Sequence, residues 1–140
     1  MSMSDREPSA GAAGWAMFAG FVMIMVGCFH AIWGLGAIIN DALYNTPSDY
    51  FLAINQSGWG WIHLIVGLLI LAAGFGIFRG AVWARTIGVI MAVVSAVGTF
   101  ASMPYDRDFW SGLWSVLIII VDIAVIWALT VHGRDIVAYE

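Results

Sequence analysis

Charge is scarce in this chain. Aspartate, glutamate and arginine make up only 10% of its 140 residues, and the five basic positions are all arginine. With 62% hydrophobic residues and a mean hydropathy of +0.93, too few polar groups remain to solvate a globule. No water-soluble domain can be cut from it, so a catalytic domain outside lipid is excluded. Cysteine is nearly missing as well. Cys28 stands alone, which excludes an intrachain disulfide and the paired-thiol chemistry of quinone-coupled thiol oxidoreductases. No basic run occurs, which argues against nucleic acid and against a polybasic lipid patch, and the net charge of −4 sits largely in loops and ends. Also lacking, in or beside the apolar stretches, are a Ser/His/Asp arrangement, paired carboxylates, a metal-binding H-x-x-x-H and a phosphate-cradling glycine loop. No catalytic residue and no enzymatic activity are therefore expected.

What the chain has instead is apolar length. Four stretches, about 15–39, 58–78, 84–103 and 110–132, are each long enough to cross a bilayer at about 1.5 Å per residue. The expected fold is an all-α membrane protein, an antiparallel up-and-down four-helix transmembrane bundle. The expected organisation is a flexible N-terminus over 1–13, one membrane domain over 14–133 and a short tail over 134–140. The first stretch is longer than a secretory h-region, and Arg6 lies between Asp5 and Glu7, so this span is expected to stay in the mature protein.

Arg6, Arg79, Arg85 and Arg134 fall on one side if the spans alternate, and only Arg107, flanked by Asp106 and Asp108, falls opposite. The positive-inside rule then puts both termini in the cytoplasm of a bacterial plasma-membrane protein. Asp41 and Asp49 lie in the other far-side connection. The aromatic belt agrees, with Trp15 and Trp83 inside and Tyr44, Tyr50, Trp59, Trp61, Tyr105 and Trp110 outside. Residues 40–57 are either a plain loop or a short surface helix capped by Ser48 after Pro47.

Between helices in lipid, close packing of small residues replaces most of the hydrophobic drive. Gly20, Gly27 and Gly34 repeat every seven residues in the first span, as do Gly60, Gly67 and Gly74 in the second. Gly88, Ala92, Ser95, Thr99 and Ser102 step four and three along the third. Each reads as the seam of a left-handed bundle.

Ionisable residues in the spans are rare in lipid and normally face the protein interior. Asp122 sits mid-way along the fourth span on the face of Ser115 and Ser111, and Ser95, Thr99 or His30 are its candidate donors. Two readings stay open: an interhelical hydrogen-bond clasp, or a carboxylate that relays protons or couples a substrate. His30 and His63 each lie three residues after one seam glycine and four before the next, at depths of about 13 Å and about 8 Å from the outer surface. Buried hydrogen-bonded histidines are the plain reading. Ligation of a b-type haem, or a three-ligand metal site with Asp122, are the alternatives. No cofactor and no metal are expected on the plain reading. His132 is placed as a cap on the fourth helix.

With these residues laid out, the chain resembles the actinobacterial four-span membrane family known only as a domain of unknown function. The resemblance runs over about residues 14–133. It rests on Gly14-Trp15 with Phe18-Ala19-Gly20, on Trp59-Gly60-Trp61, on Trp83-Ala84-Arg85, and on Asp122 followed by Ala128-Leu129-Thr130-Val131-His132-Gly133. It implies a small plasma-membrane protein of four helices and brings no activity, cofactor or catalytic residue; His30 and His63 lie outside the residues that carry it. The favoured role is a non-enzymatic scaffold or accessory subunit, in lipid and in a homo-oligomer or a complex with another membrane protein. A small proton-coupled transporter using Asp122, and a haem or metal redox subunit using His30 and His63, are the rivals.

Overall fold

A computed structural model describes residues 10–39, 56–106 and 108–132, and every regular element among them is helical. The elements are α1 (Ala10–Ile39), α2 (Gln56–Phe78), α3 (Val82–Ser102) and α4 (Phe109–Val131), with one 3₁₀ turn at Met103–Tyr105. All four helices are long and apolar enough to cross a membrane. The sequence-based spans match to within a few residues, and α1 as a helix starts ahead of its span. That helix begins at Ala10, because the alanine-rich lead-in favours helix and nothing in it breaks the ladder. Arg6, Asp41, Tyr44, Pro47, Ser48, Asp49, Tyr50, Arg107 and Arg134 lie outside the described residues, as does the Tyr105 side chain.

The ends are set by local chemistry. At the close of α2, Gly80 takes a positive φ of 67°, its N–H bonds Ile77 O at 2.9 Å, and Ala81 N–H bonds Gly76 O at 2.9 Å. This is a Schellman stop, and it turns the chain into α3 within three residues. Pro104 carries the end of α3 into the 3₁₀ turn. Asp108 caps α4, accepting from Ser111 N–H at 2.7 Å while the Ser111 hydroxyl lies against the Asp108 N–H at 3.4 Å. His132 occupies the C-cap position, its N–H on Ala128 O, and its ring meets Trp127 edge-on at 4.8 Å.

Each helix packs on its chain neighbours, and α4 returns to α1, so the four form a ring in the order α1, α2, α3, α4. Trp15 of α1 meets Trp127 of α4 edge-on at 5.2 Å, which places the start of α1 and the end of α4 at one end of the bundle. We call this the terminal end and the opposite one the distal end.

The most extensive interface joins α1 to α2, and it shows why both carry glycine every seven residues. The two glycine rows share one seam. A methyl group built on Gly34 would lie 2.5 Å from Leu64 N and 2.6 Å from Gly60 O; one on Gly67 would lie 2.5 Å from Ala31 N and 2.8 Å from Gly27 O. Gly27 and Gly74 meet backbone in the same way, whereas Gly20 faces the ring of Phe78. Backbone therefore touches backbone along most of the hairpin.

Packing elsewhere is uneven. The apolar core consists of Ala19 and Met23, Ile70, Ala73 and Ile77, Ala84 and Ala92, and Val125, Ala128 and Leu129. All of these lie in the terminal half. Along α3 the expected small-residue seam is only half used: Gly88 and Ala92 are buried, Ser95 is exposed, and Thr99 and Ser102 are part-buried. The core that the α1–α2 hairpin and the α3–α4 hairpin share thus lies toward the terminal end.

Candidate functional site

One layer of the bundle is polar, and helix geometry fixes its level. At the junction of α1, α3 and α4, Gly88 faces Leu129 Cδ1 and Met23 Sδ; a methyl on it would lie 2.6 Å and 2.8 Å from them. Residues seven apart share a helix face. One heptad toward the distal end, Met23, Gly88 and Leu129 are succeeded by His30, Ser95 and Asp122. The apolar core stops here, and polar groups from three helices take over at one depth.

Asp122 and Ser95 form the first pair. Of the three expected donors, Ser95 is the one whose hydroxyl lies beside the Asp122 carboxyl. Asp122 Oδ2 is buried and has no hydrogen-bond partner. Ser111 and Ser115, expected on the Asp122 face, are used elsewhere. The Ser115 hydroxyl donates to Asp106 Oδ2 at 2.9 Å, and Ser111 belongs to the α4 cap. Asp106 and Asp108 therefore do work that sequence reasoning missed, having been read only as neighbours of Arg107. The spacing Asp108-x-x-Ser111 was the available signal. The Ser111 N–H, followed by its hydroxyl, holds the Asp108 carboxyl below the usual carboxylate range.

His30 and His63 form the second pair, on α1 and α2. The glycine seam brings the two backbones together three residues before each histidine, and the rings stack with centroids 5.2 Å apart and planes 11° from parallel. His63 Nδ1 lies 2.9 Å from the Trp59 carbonyl. A carbonyl only accepts, so Nδ1 carries the proton and Nε2 keeps its lone pair when the ring is neutral. His30 Nδ1 is buried without a partner. Trp33 and Trp59 pack on His63 with ring centroids 4.5 Å and 5.7 Å away, completing an aromatic wall that the sequence did not single out.

The expected single cluster of Asp122, His30, His63, Ser95 and Thr99 is thus resolved into two pairs. Thr99 adds only its backbone carbonyl, which accepts from the Ser102 hydroxyl at 2.9 Å. A haem held by two histidines needs its plane between the rings, with a nitrogen of each aimed at the iron from opposite faces. Rings stacked face to face at 5.2 Å leave no slot for that plane, so His30 and His63 do not fit the group. Among the described residues no three His, Cys, Asp or Glu side chains gather as metal ligands, so Asp122 does not join the histidine pair in a three-ligand site.

Four lipid-length helices joined by a backbone-to-backbone glycine seam define an all-α, multi-pass membrane bundle. The chain belongs to the family described as Domain of unknown function (DUF7144), whose model matches residues 15–134. No curated protein and no solved structure matches the chain.

Proposed function

We propose that this protein is a non-enzymatic scaffold or accessory subunit of a larger membrane assembly, built into a bacterial plasma membrane with both termini in the cytoplasm. The observation that carries this reading is the half-used seam of α3. Gly88 and Ala92 are consumed within the chain, whereas Gly98, further along the same helix, is exposed with nothing filling the space beside it. Small residues let a further helix approach closely in lipid. The arginine bias supports the orientation, and the resemblance noted above suggests an actinobacterial source. Arg85, near the start of α3, is a natural contact for lipid headgroups at the cytoplasmic face.

Photo-crosslinking tests the assembly. A benzoylphenylalanine at Val97 or Phe100, both exposed on the distal half of α3, is expected to trap a second copy or another membrane protein in intact cells. The same probe at Leu69 on α2 should trap lipid alone. Equal yields from both helices would sink the reading.

A second reading, proton-coupled transport, draws on one observation: the buried, unpartnered Oδ2 of Asp122. Asp122→Asn should then abolish proton-dependent flux in proteoliposomes. Under the scaffold reading it should change stability only.

A further inference from the structure

Asp122 is the one acidic residue within the four spans. The Ser95 hydroxyl lies beside it, its Oδ2 is buried and unmet, and among the described residues neither an arginine nor a histidine pairs with it. A carboxyl so placed has no fixed counter-charge in an apolar surround. His30, at the same depth on α1, also holds a buried nitrogen with no partner. Behind it stands the wall of stacked His30 and His63 with Trp33 and Trp59. The apolar core does not reach this level, because α3 buries no residue beyond Ala92.

A carboxyl on one hairpin, aromatic faces on the other and an exposed Ser95 at the same level specify a class of ligand. Aromatic faces carry negative quadrupole charge and attract cations, most strongly where water is excluded. A small inorganic cation asks for six or more oxygen ligands, whereas Asp122 and Ser95 offer few. A large organic cation asks for one counter-charge and apolar or aromatic surface for the rest. We propose that the layer formed by Asp122, Ser95, His30 and the Trp33–His63–Trp59 rings binds a lipophilic organic monocation between the two hairpins. Asp122 supplies the counter-charge, Ser95 orients the carboxylate, and the rings cover the cation from the α1–α2 side. The inference concerns binding alone; it needs no flux and no partner, so it stands or falls separately from both functional readings.

Equilibrium binding of tritiated tetraphenylphosphonium to the purified full chain in mild detergent tests it. Saturable binding at one site per chain is expected. Asp122→Asn should weaken it at least about ten-fold, as the loss of an ion pair in an apolar site implies. Trp33→Leu should weaken it by about three- to thirty-fold, the range of a cation–π contact. Thr86→Ala, at the terminal end of α3, should bind as the wild type does. The neutral analogue triphenylphosphine oxide should not compete. Unchanged affinity in a folded Asp122→Asn variant, no saturable binding by monodisperse wild type, or equal competition by the neutral analogue would each overturn the proposal. Should Asp122→Asn fail to fold, the competition experiment on the wild type decides alone.

Discussion

At the scale of single residues, the glycines divide into those met by backbone and those met by nothing. Gly34 and Gly67 each face backbone nitrogen at 2.5 Å from a hypothetical methyl, and backbone cannot rotate aside as a side chain can. Gly34→Ala and Gly67→Ala should each destabilise the protein by about 1–3 kcal/mol, the usual cost of overpacking. Gly98 and Gly112 have nothing within 4 Å. Gly98→Ala and Gly112→Ala should be neutral or stabilising by up to about 1 kcal/mol, since alanine is the better helix former. Helix loss followed by circular dichroism in mixed micelles against rising SDS separates the two groups. Equal effects in both would show that the seam does not hold the hairpin. The Asp108 cap adds a pH term. Its folded carboxyl titrates below the ordinary value of about 3.9, so its stabilisation is complete above that value and is lost as pH falls through the folded value. Asp108→Asn should flatten the acid limb of the stability profile below about pH 4 relative to the wild type. A limb of unchanged slope would remove Asp108 from the account.

At the scale of helices, the sequence announces where each rod runs but not how rods pair. Span limits were legible because length in lipid is a property of one segment, whereas the helix itself starts earlier, at Ala10, because helix propensity continues past apolarity. A heptad of glycines is equally a property of one segment. Gly20, Gly27 and Gly34 and their counterparts in α2 were visible as two rows, but their merging into one seam depends on which helices meet. The α3 row was overread for the same reason: its spacing continues through Ser102, while its burial ends at Ala92. The turn at Gly80 was legible only as a short link. Its positive φ makes Gly80→Ala costly by about 1–2 kcal/mol, a loss that shows as a lowered midpoint of unfolding. Uneven pairing also orders the exchange of amide hydrogens. The facing stretches of α1 and α2 along the glycine seam should be the slowest, and α3 beyond Ala92 the fastest of the described helical segments. Uniform protection along α3 would contradict a core that lies toward the terminal end.

At the scale of the whole molecule, the polar layer was half legible. Depth and face for His30, His63, Ser95 and Asp122 were read by counting along single helices, and the structure sets His30 on His63 and Ser95 beside Asp122. Whether they form one cluster depends on how two hairpins sit against each other, and no local pattern encodes that. Topology is testable directly. In a Cys28→Ala background, Ser2→Cys and Ala138→Cys should both resist a membrane-impermeant maleimide on intact spheroplasts, and Ser48→Cys should react; labelling of either end would reverse the orientation. The α1–α2 seam carries a further consequence for genetics. A lesion at Gly34 or Gly67 cannot be relieved by trimming the residue it strikes, because the obstacle is main chain, of Leu64 and Gly60 or of Ala31 and Gly27, whatever side chains stand there. Suppressors of such a lesion should therefore be missing from the facing helix. They should arise instead in the terminal-half core, as substitutions that tolerate a wider separation of the two rods.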